Sequence, residues 1–175
     1  MNEEVKKAAG LFSHPIHPIA VHLPMALWPA ALLFDILSRA DVGGNAMVQL
    51  SFWAIGLGLI ATLGAIPTGI ADWLGIKKEN PAWKTGLYHM GLNALVTLLY
   101  VVNFILRFKT FRYDTEVATG PLLLSMIGTV MLIGSAYLGG LMVYDYGIGV
   151  ARHSKEKWRE AAENAGANLP PKKEK

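Results

Sequence analysis

Residues 13–24 read SHPIHPIAVHLP, and this stretch opens the first long apolar segment of the chain. Three of the five histidines of the protein lie in it. Imidazole is the commonest metal ligand among side chains, and its charge changes near neutral pH. Proline disfavours helix for the residue before it, so we expect His14 and Ile16–His17 to precede the first helix. We expect Pro18 to begin that helix and His22 to lie about one turn inside it.

The remaining sequence has the pattern of a helical membrane protein. Only 17% of the 175 residues are charged, whereas soluble domains carry about a quarter. The deficit comes from four long apolar stretches, at about residues 18–38, 47–74, 84–108 and 120–149. We therefore predict an all-α fold, an integral membrane four-helix bundle. A polar lead (residues 1–13) precedes the membrane domain (14–150), and a charged cytoplasmic tail (151–175) follows, with a short surface helix over 154–165.

Several classes of function find no support in the sequence. The chain has no cysteine, which excludes disulfides, thiolate metal sites and clusters ligated by cysteine. It has no glycine-rich phosphate loop after a strand and no spacing typical of a nucleophile triad. The net charge of +3 is small and gives no reason to expect a nucleic-acid partner. The sequence identifies no catalytic residues. We expect the first span to be retained in the mature protein, because no signal-peptide cleavage site follows it.

Two features of the first two spans predict local contacts. Pro24 and Pro29 should kink span one, and Asp35 and Arg39 stand four apart, which favours an ion pair within one helix. Small residues recur in span two and should allow close helix packing. That row consists of Gly56, Ile60, Gly64, Thr68 and Asp72.

One face of span three is polar. Its polar side chains recur every three or four residues, which is the spacing of a single helix face. A polar stripe facing lipid would be costly, so we expect it to face the interior of the bundle. The stripe consists of His89, Asn93, Thr97, Tyr100 and Asn103.

The basic residues predict the orientation of the bundle. Lysines and arginines are concentrated in the two termini and in the middle loop, whereas the two opposite loops hold only four of them. Because basic residues accumulate on the cytoplasmic side, we predict that both termini are cytoplasmic. We expect the protein to be a multi-pass component of the bacterial inner (plasma) membrane.

This orientation brings all five histidines, with Asp72, to the cytoplasmic half. His22 and His89 each lie about 7 Å beyond the start of their helices, at 1.5 Å per residue. We predict that they face each other, share one bound centre and act as its cofactor ligands. We expect Asp72 to hydrogen-bond a ligand imidazole or to bind the metal itself. The candidate metal ligands are His14, His17, His22, His89 and Asp72.

Four motifs in residues 13–151 stand out together. They are His14-Pro15-x-His17-Pro18 with His22 and Pro24, Gly69-x-x-Asp72-Trp73, His89 with Asn93, and Gly139-Gly140-Leu141-Met142-Val143-Tyr144 leading to Gly147-Ile148-Gly149-Val150. With these motifs the chain resembles a bacterial family of predicted four-span membrane proteins, the domain of unknown function 2231. The resemblance implies a membrane protein whose relatives sometimes accompany redox domains. The family often has a histidine at the position of Tyr146.

Three functions remain open. The first is a b-type cytochrome or similar redox-cofactor subunit, with haem b between His22 and His89 and with a quinone and a soluble redox protein as partners. The second is a non-haem transition-metal protein for sensing, transport or metal chemistry, in which transport would require a homo-oligomer. The third is a structural subunit whose histidines only satisfy hydrogen bonds. Whether the protein is an enzyme stays open, and we expect a redox or binding subunit of the bilayer rather than a stand-alone enzyme.

Overall fold

A computed structural model describes residues 16–149 and 155–169, without the side chains of 155–158. The predictions for His14, for His153 and for the polar lead fall outside these residues. The described residues form six helices and no strand. They are α1 Ile16–Ala20, α2 His22–Arg39, α3 Asn45–Leu74, α4 Pro81–Arg107, α5 Thr119–Tyr144 and α6 Lys155–Asn164.

Four spans are long and apolar enough to cross a membrane, and the first of them, Ile16–Arg39, combines α1 and α2. Their outward faces stay apolar: the side chains of Leu63 and Val130, for example, are 74% and 70% exposed. In water such faces would be unfavourable, whereas in a bilayer they contact lipid. The predicted all-α membrane bundle is therefore confirmed, while the side on which the termini lie stays a prediction.

The spans close into a ring. α2 packs mainly against α3, and α4 against α5; contacts of α3 with α4 and of α2 with α5 complete the bundle, and α1 packs on α3. We call the end that holds α1, loop 75–80 and Tyr144 the terminal end. The opposite end, with loops 40–44 and 108–118, is the loop end.

Of the two prolines expected to kink span one, only Pro24 lies near a break in the helix. The helix already begins at Ile16, so the expectation that His17 precedes it is wrong. The single break lies at Val21 rather than at a proline. Pro24 has no N–H for the carbonyl of Ala20, which explains a break at this point, while α2 continues through Pro29.

The start of α4 follows from its capping sequence. The side chain of Asn80 accepts a hydrogen bond from the backbone N–H of Ala82 at 2.9 Å, and Pro81 occupies the first helical position. Both are favoured at helix starts, and they place the beginning of α4 three residues before the predicted one.

The packed face of α3 differs from the predicted row of small residues. Ile60 is 65% exposed and Gly64 is exposed, so this part of the row faces outward. The side chains that face the bundle lie on a neighbouring stripe, which consists of Val48, Ser51, Ile55, Gly58, Thr62 and Ala65.

An aromatic pair fills the centre of the bundle. The ring of Trp28 stacks on that of Tyr100 with 4.2 Å between centroids, and both side chains are buried. The Trp28 ring lies directly against Gly58, where a Cβ atom would overlap Nε1 of the indole. This aromatic pair, together with Val96 and Leu132, separates the polar groups at the two ends of the bundle.

Candidate functional site

Two imidazoles meet at the terminal end of the bundle. His17 lies on α1 and His89 on α4, and their ring centroids are 6.5 Å apart with perpendicular ring planes. Both side chains are half-buried. The structure therefore brings together two of the predicted metal ligands from different spans.

Each imidazole is held through its Nδ1 atom by a backbone carbonyl. Nδ1 of His17 is 2.9 Å from the carbonyl oxygen of Ala65, and Nδ1 of His89 is 2.8 Å from that of Ser135. A carbonyl oxygen can only accept, so each Nδ1 carries the proton and donates it. In the neutral imidazole this leaves Nε2 unprotonated, which is the state that a metal ligand requires.

Glycine on the neighbouring helices allows both rings to lie close to the backbone. A Cβ atom at Gly69 of α3 would come within 2.7 Å of Cε1 of His17. At Gly139 of α5, a Cβ atom would come within 3.2 Å of Cε1 of His89. Each of the four motifs that support the family resemblance thus contributes a residue to this one site.

The predicted polar stripe of α4 faces α5. The amide nitrogen of Asn93 is 3.1 Å from Nε2 of His89 and 2.6 Å from Oγ of Ser135. Tyr100 and Asn103 are buried, and both bond to the α5 segment that contains Ser125. The expectation that this stripe faces the interior is confirmed for these residues.

Asp72 lies one turn beyond Gly69 on the same helix and is half-buried. It is close enough to His17 for an electrostatic interaction. Among the described residues it makes no hydrogen bond to either imidazole, so its direct role at a bound centre stays a prediction.

The expected pairing of His22 with His89 is replaced by the pairing of His17 with His89. His22 is exposed. It lies five positions after His17, which corresponds to a rotation of about 140° around a helix. The two side chains therefore point to different sides of span one, and the one directed at α4 is His17. The helix begins at Ile16, two residues before the predicted start at Pro18.

The described residues contain no group of three or more His, Asp or Glu side chains suited to hold a metal ion. His14, which the sequence adds to the ligand set, lies outside them. The histidine pair is therefore a two-donor site in the part of the chain that the structure describes.

The loop end contains a second polar cluster, which we did not predict. Nη1 and Nη2 of Arg107 donate to the two carboxylate oxygens of Asp35 at 2.6 and 2.7 Å. Asn103 accepts from Nε of Arg107, and the hydroxyls of Ser51 and Ser125 bond to the Asp35 carboxylate. All four spans contribute to this buried cluster. The expected pair of Asp35 with Arg39 is wrong, since Arg39 instead contacts Glu116 at 3.5 Å.

The spacing of polar residues in α4 could have predicted part of this cluster. The stripe of α4 reaches Arg107 when its spacing of four is continued from Asn103, which places Arg107 on the interior face. Arg107 is one of the four basic residues expected in the two opposite loops, but the structure buries it inside the bundle. Its partner Asp35 is 72 positions away in the sequence, and no local pattern connects the two.

Comparison with known proteins agrees with the membrane architecture. No curated protein and no solved structure matches the chain. The family model described as "Predicted membrane protein (DUF2231)" matches residues 13–152, which include all four spans and both polar clusters. The chain therefore belongs to the DUF2231 family of predicted membrane proteins.

Proposed function

We propose that the protein is an electron-transfer subunit of the membrane that binds haem between His17 and His89. The observation that supports this most is the histidine pair itself. Two imidazoles from different spans lie 6.5 Å apart, and each is tied at Nδ1 to a backbone carbonyl. Ionisable side chains within membrane spans commonly mark functional sites, because they are costly to place there.

The number of donors favours haem iron over a bare ion. A porphyrin supplies four nitrogen ligands, so the protein needs to add only axial ones. A tetrahedral zinc site needs three or four protein ligands. The site offers two imidazoles, and the described residues contain no cluster of three donors, which fits the first requirement and not the second.

The separation of the rings suits a shared metal centre. With metal–nitrogen bonds of about 2 Å, two imidazoles bound to one metal have ring centroids roughly 5–6 Å apart. The 6.5 Å between the centroids of His17 and His89 is near this range, so both imidazoles could bind one metal centre. The backbone of α1 packs on α3 and makes no comparable contact with α4, so the ring pair bridges two loosely joined helices.

Haem at this position would supply one-electron exchange, and the chain's own residues would hold its iron. His17 and His89 would be the ligands, with Gly69 and Gly139 leaving room for the two imidazoles. A quinone in the bilayer and a soluble redox protein at the terminal end would be suitable partners.

A non-haem transition-metal ion is the second candidate. It is favoured by Asp72, which interacts electrostatically with His17 and could add an oxygen ligand. His14 lies three residues before His17 and could add a third imidazole. In this form the protein would serve metal sensing, transport or metal-dependent chemistry.

Absorbance spectroscopy and elemental analysis of the purified protein test both candidates. We expect a Soret band and low-spin iron in protein made with an adequate haem supply. His17→Ala and His89→Ala should each abolish the low-spin spectrum. His22→Ala is the matched control from the same motif, and it should keep the spectrum because His22 points away from α4.

Each other outcome has a definite meaning. Metal without a Soret band, lost in His17→Ala and retained in His22→Ala, would replace haem with a bare ion. Protein that contains neither haem nor metal would contradict both candidates and favour the structural role.

A further inference from the structure

His89 differs from His17 in what occupies its second ring nitrogen. The amide nitrogen of Asn93 lies 3.1 Å from Nε2 of His89. Nε2 of His17 makes no hydrogen bond within residues 16–149 and 155–169. The two imidazoles of the pair are thus unequally available to a ligand.

The orientation of the Asn93 amide follows from its other contacts. Its nitrogen is 2.9 Å from the backbone carbonyl oxygen of His89, which can only accept. The NH₂ group therefore faces His89, and its two protons are shared among three acceptors: Nε2, this carbonyl oxygen and Oγ of Ser135. Because Nδ1 already donates to the carbonyl of Ser135, His89 is a neutral imidazole with its proton on Nδ1 and both nitrogens bonded.

We propose that Asn93 is an intramolecular competitor for His89, whose amide occupies Nε2 until a metal centre takes the same lone pair. This role rests on the proposed function, whereas the tautomer of His89 does not. Asn93 is a positioning residue in this scheme, because it acts through His89 and touches no bound group.

The surroundings of Asn93 keep the energetic cost low when its amide gives up Nε2 of His89 to a metal centre. Its NH₂ group has two further acceptors, the carbonyl oxygen of His89 and Oγ of Ser135 at 2.6 Å. When Nε2 is taken by a metal, both amide protons can still be bonded. A buried amide left without acceptors would instead be costly.

The asymmetry predicts an order of binding. His17 offers an unoccupied Nε2 and should bind the metal centre first, and His89 should follow after Asn93 releases it. The His89→Ala variant should therefore still take up haem in a high-spin form with one protein ligand, and the His17→Ala variant should bind it much more weakly.

Nitrogen-15 NMR of the metal-free protein in detergent tests the resting state. We expect the His89 ring to carry its proton on Nδ1 and to have a hydrogen-bonded, unprotonated Nε2. In Asn93→Leu, which keeps the side-chain volume, the Nε2 resonance should shift to that of a free lone pair while Nδ1 stays protonated. A proton on Nε2 in the wild-type protein would overturn the inference without affecting the proposed haem function.

Titration with haemin tests the competition. Removing one competing hydrogen bond should make haemin binding to Asn93→Leu several-fold and up to about tenfold tighter than to the wild type. Ser135→Ala keeps the backbone carbonyl and is the control for altered packing at α5; it should not tighten binding.

The two proposals fail in different ways. Wild-type protein that binds haemin as tightly as Asn93→Leu would overturn the competitor role and leave haem binding intact. Protein with the expected NMR signature that takes up no haemin would contradict the proposed function and, with it, the competitor role.

Discussion

Asp35 and Arg107 form a bidentate salt bridge inside the membrane domain, in which each carboxylate oxygen accepts a hydrogen bond from a different guanidinium nitrogen. The side chains are 0% and 3% exposed. Every donor of the guanidinium group has an acceptor, because Asn103 accepts from Nε and Ser51 and Ser125 accept from the other two nitrogens. The cluster therefore fixes how the loop ends of all four spans meet.

Removing one partner of this pair should strongly destabilise the bundle. We expect Arg107→Met or Asp35→Leu to lower the free energy of unfolding by about 3–5 kcal/mol, because each leaves an uncompensated buried charge. Reversible unfolding in mixed micelles measures this. The double variant should be less damaging than either single change, since it removes both charges.

Two variants separate this effect from a general loss of charge. Arg107→Lys keeps the charge but cannot reproduce the two parallel hydrogen bonds, so it should be destabilising as well. Arg39→Ala removes the exposed contact with Glu116 and should cost less than about 1 kcal/mol. Equal effects of Arg39→Ala and Arg107→Met would show that the buried pair has no special role.

The histidine pair should be sensitive to a single methyl group on α3. In Gly69→Ala the new Cβ atom would lie 2.7 Å from Cε1 and 2.9 Å from Nδ1 of His17, so the imidazole must move. We expect the bond from His17 to the Ala65 carbonyl to be lost and the bundle to be destabilised by about 1–3 kcal/mol. The position of the His17 resonances in NMR reports the first effect, and the unfolding free energy the second.

Gly64→Ala is the matched control on the same helix. No atom lies within 4 Å of a Cβ at Gly64, so this change should leave His17 in place. It should stabilise α3 slightly, because alanine has the higher helix propensity, by up to about 1 kcal/mol. If both variants disturb His17 alike, close packing at Gly69 is not what positions the ring.

Much of this architecture could be predicted from the sequence because it depends on local periodicity. Four apolar stretches predict four spans, and polar residues every three or four positions predict the inner face of α4. The buried side chains of Tyr100 and Asn103 confirm that face. Span limits differ by a few residues where a capping sequence, such as Asn80 with Pro81, extends a helix.

Contacts between helices could not be predicted in the same way. The choice between His17 and His22 depends on where the helix of span one begins, and a shift of one turn or less changes which side chain faces α4. The partner of Asp35 is in a distant span rather than at Arg39, four residues away. Neither fact has a signature in the neighbouring sequence.

The polar contacts between α4 and α5 should contribute modestly to stability. The hydroxyl of Tyr100 is 2.9 Å from Oγ1 of Thr129 and 3.3 Å from the carbonyl oxygen of Ser125. We expect Tyr100→Phe to lower the unfolding free energy by about 0.5–1.5 kcal/mol. Tyr137→Phe on the outer face of α5, where the side chain is 68% exposed, should have little effect and controls for loss of a phenol.

The orientation of the bundle determines which compartment the histidine pair faces. Basic residues are concentrated at the terminal end, so that end should be cytoplasmic. The chain has no cysteine, which allows single cysteines to be introduced without a background. Tyr113 at the loop end is 81% exposed, and Lys78 at the terminal end is also exposed, so both positions suit a labelling experiment.

In intact cells, a membrane-impermeant maleimide should label the Tyr113→Cys variant and not the Lys78→Cys variant. After the membrane is permeabilised, both should react, which controls for accessibility. The opposite pattern would place the histidine pair on the outer side, where a soluble electron donor or a metal ion would have to arrive from outside the cell. The positions of His17 and His89 relative to each other would be unchanged, but a cytoplasmic redox partner would be excluded.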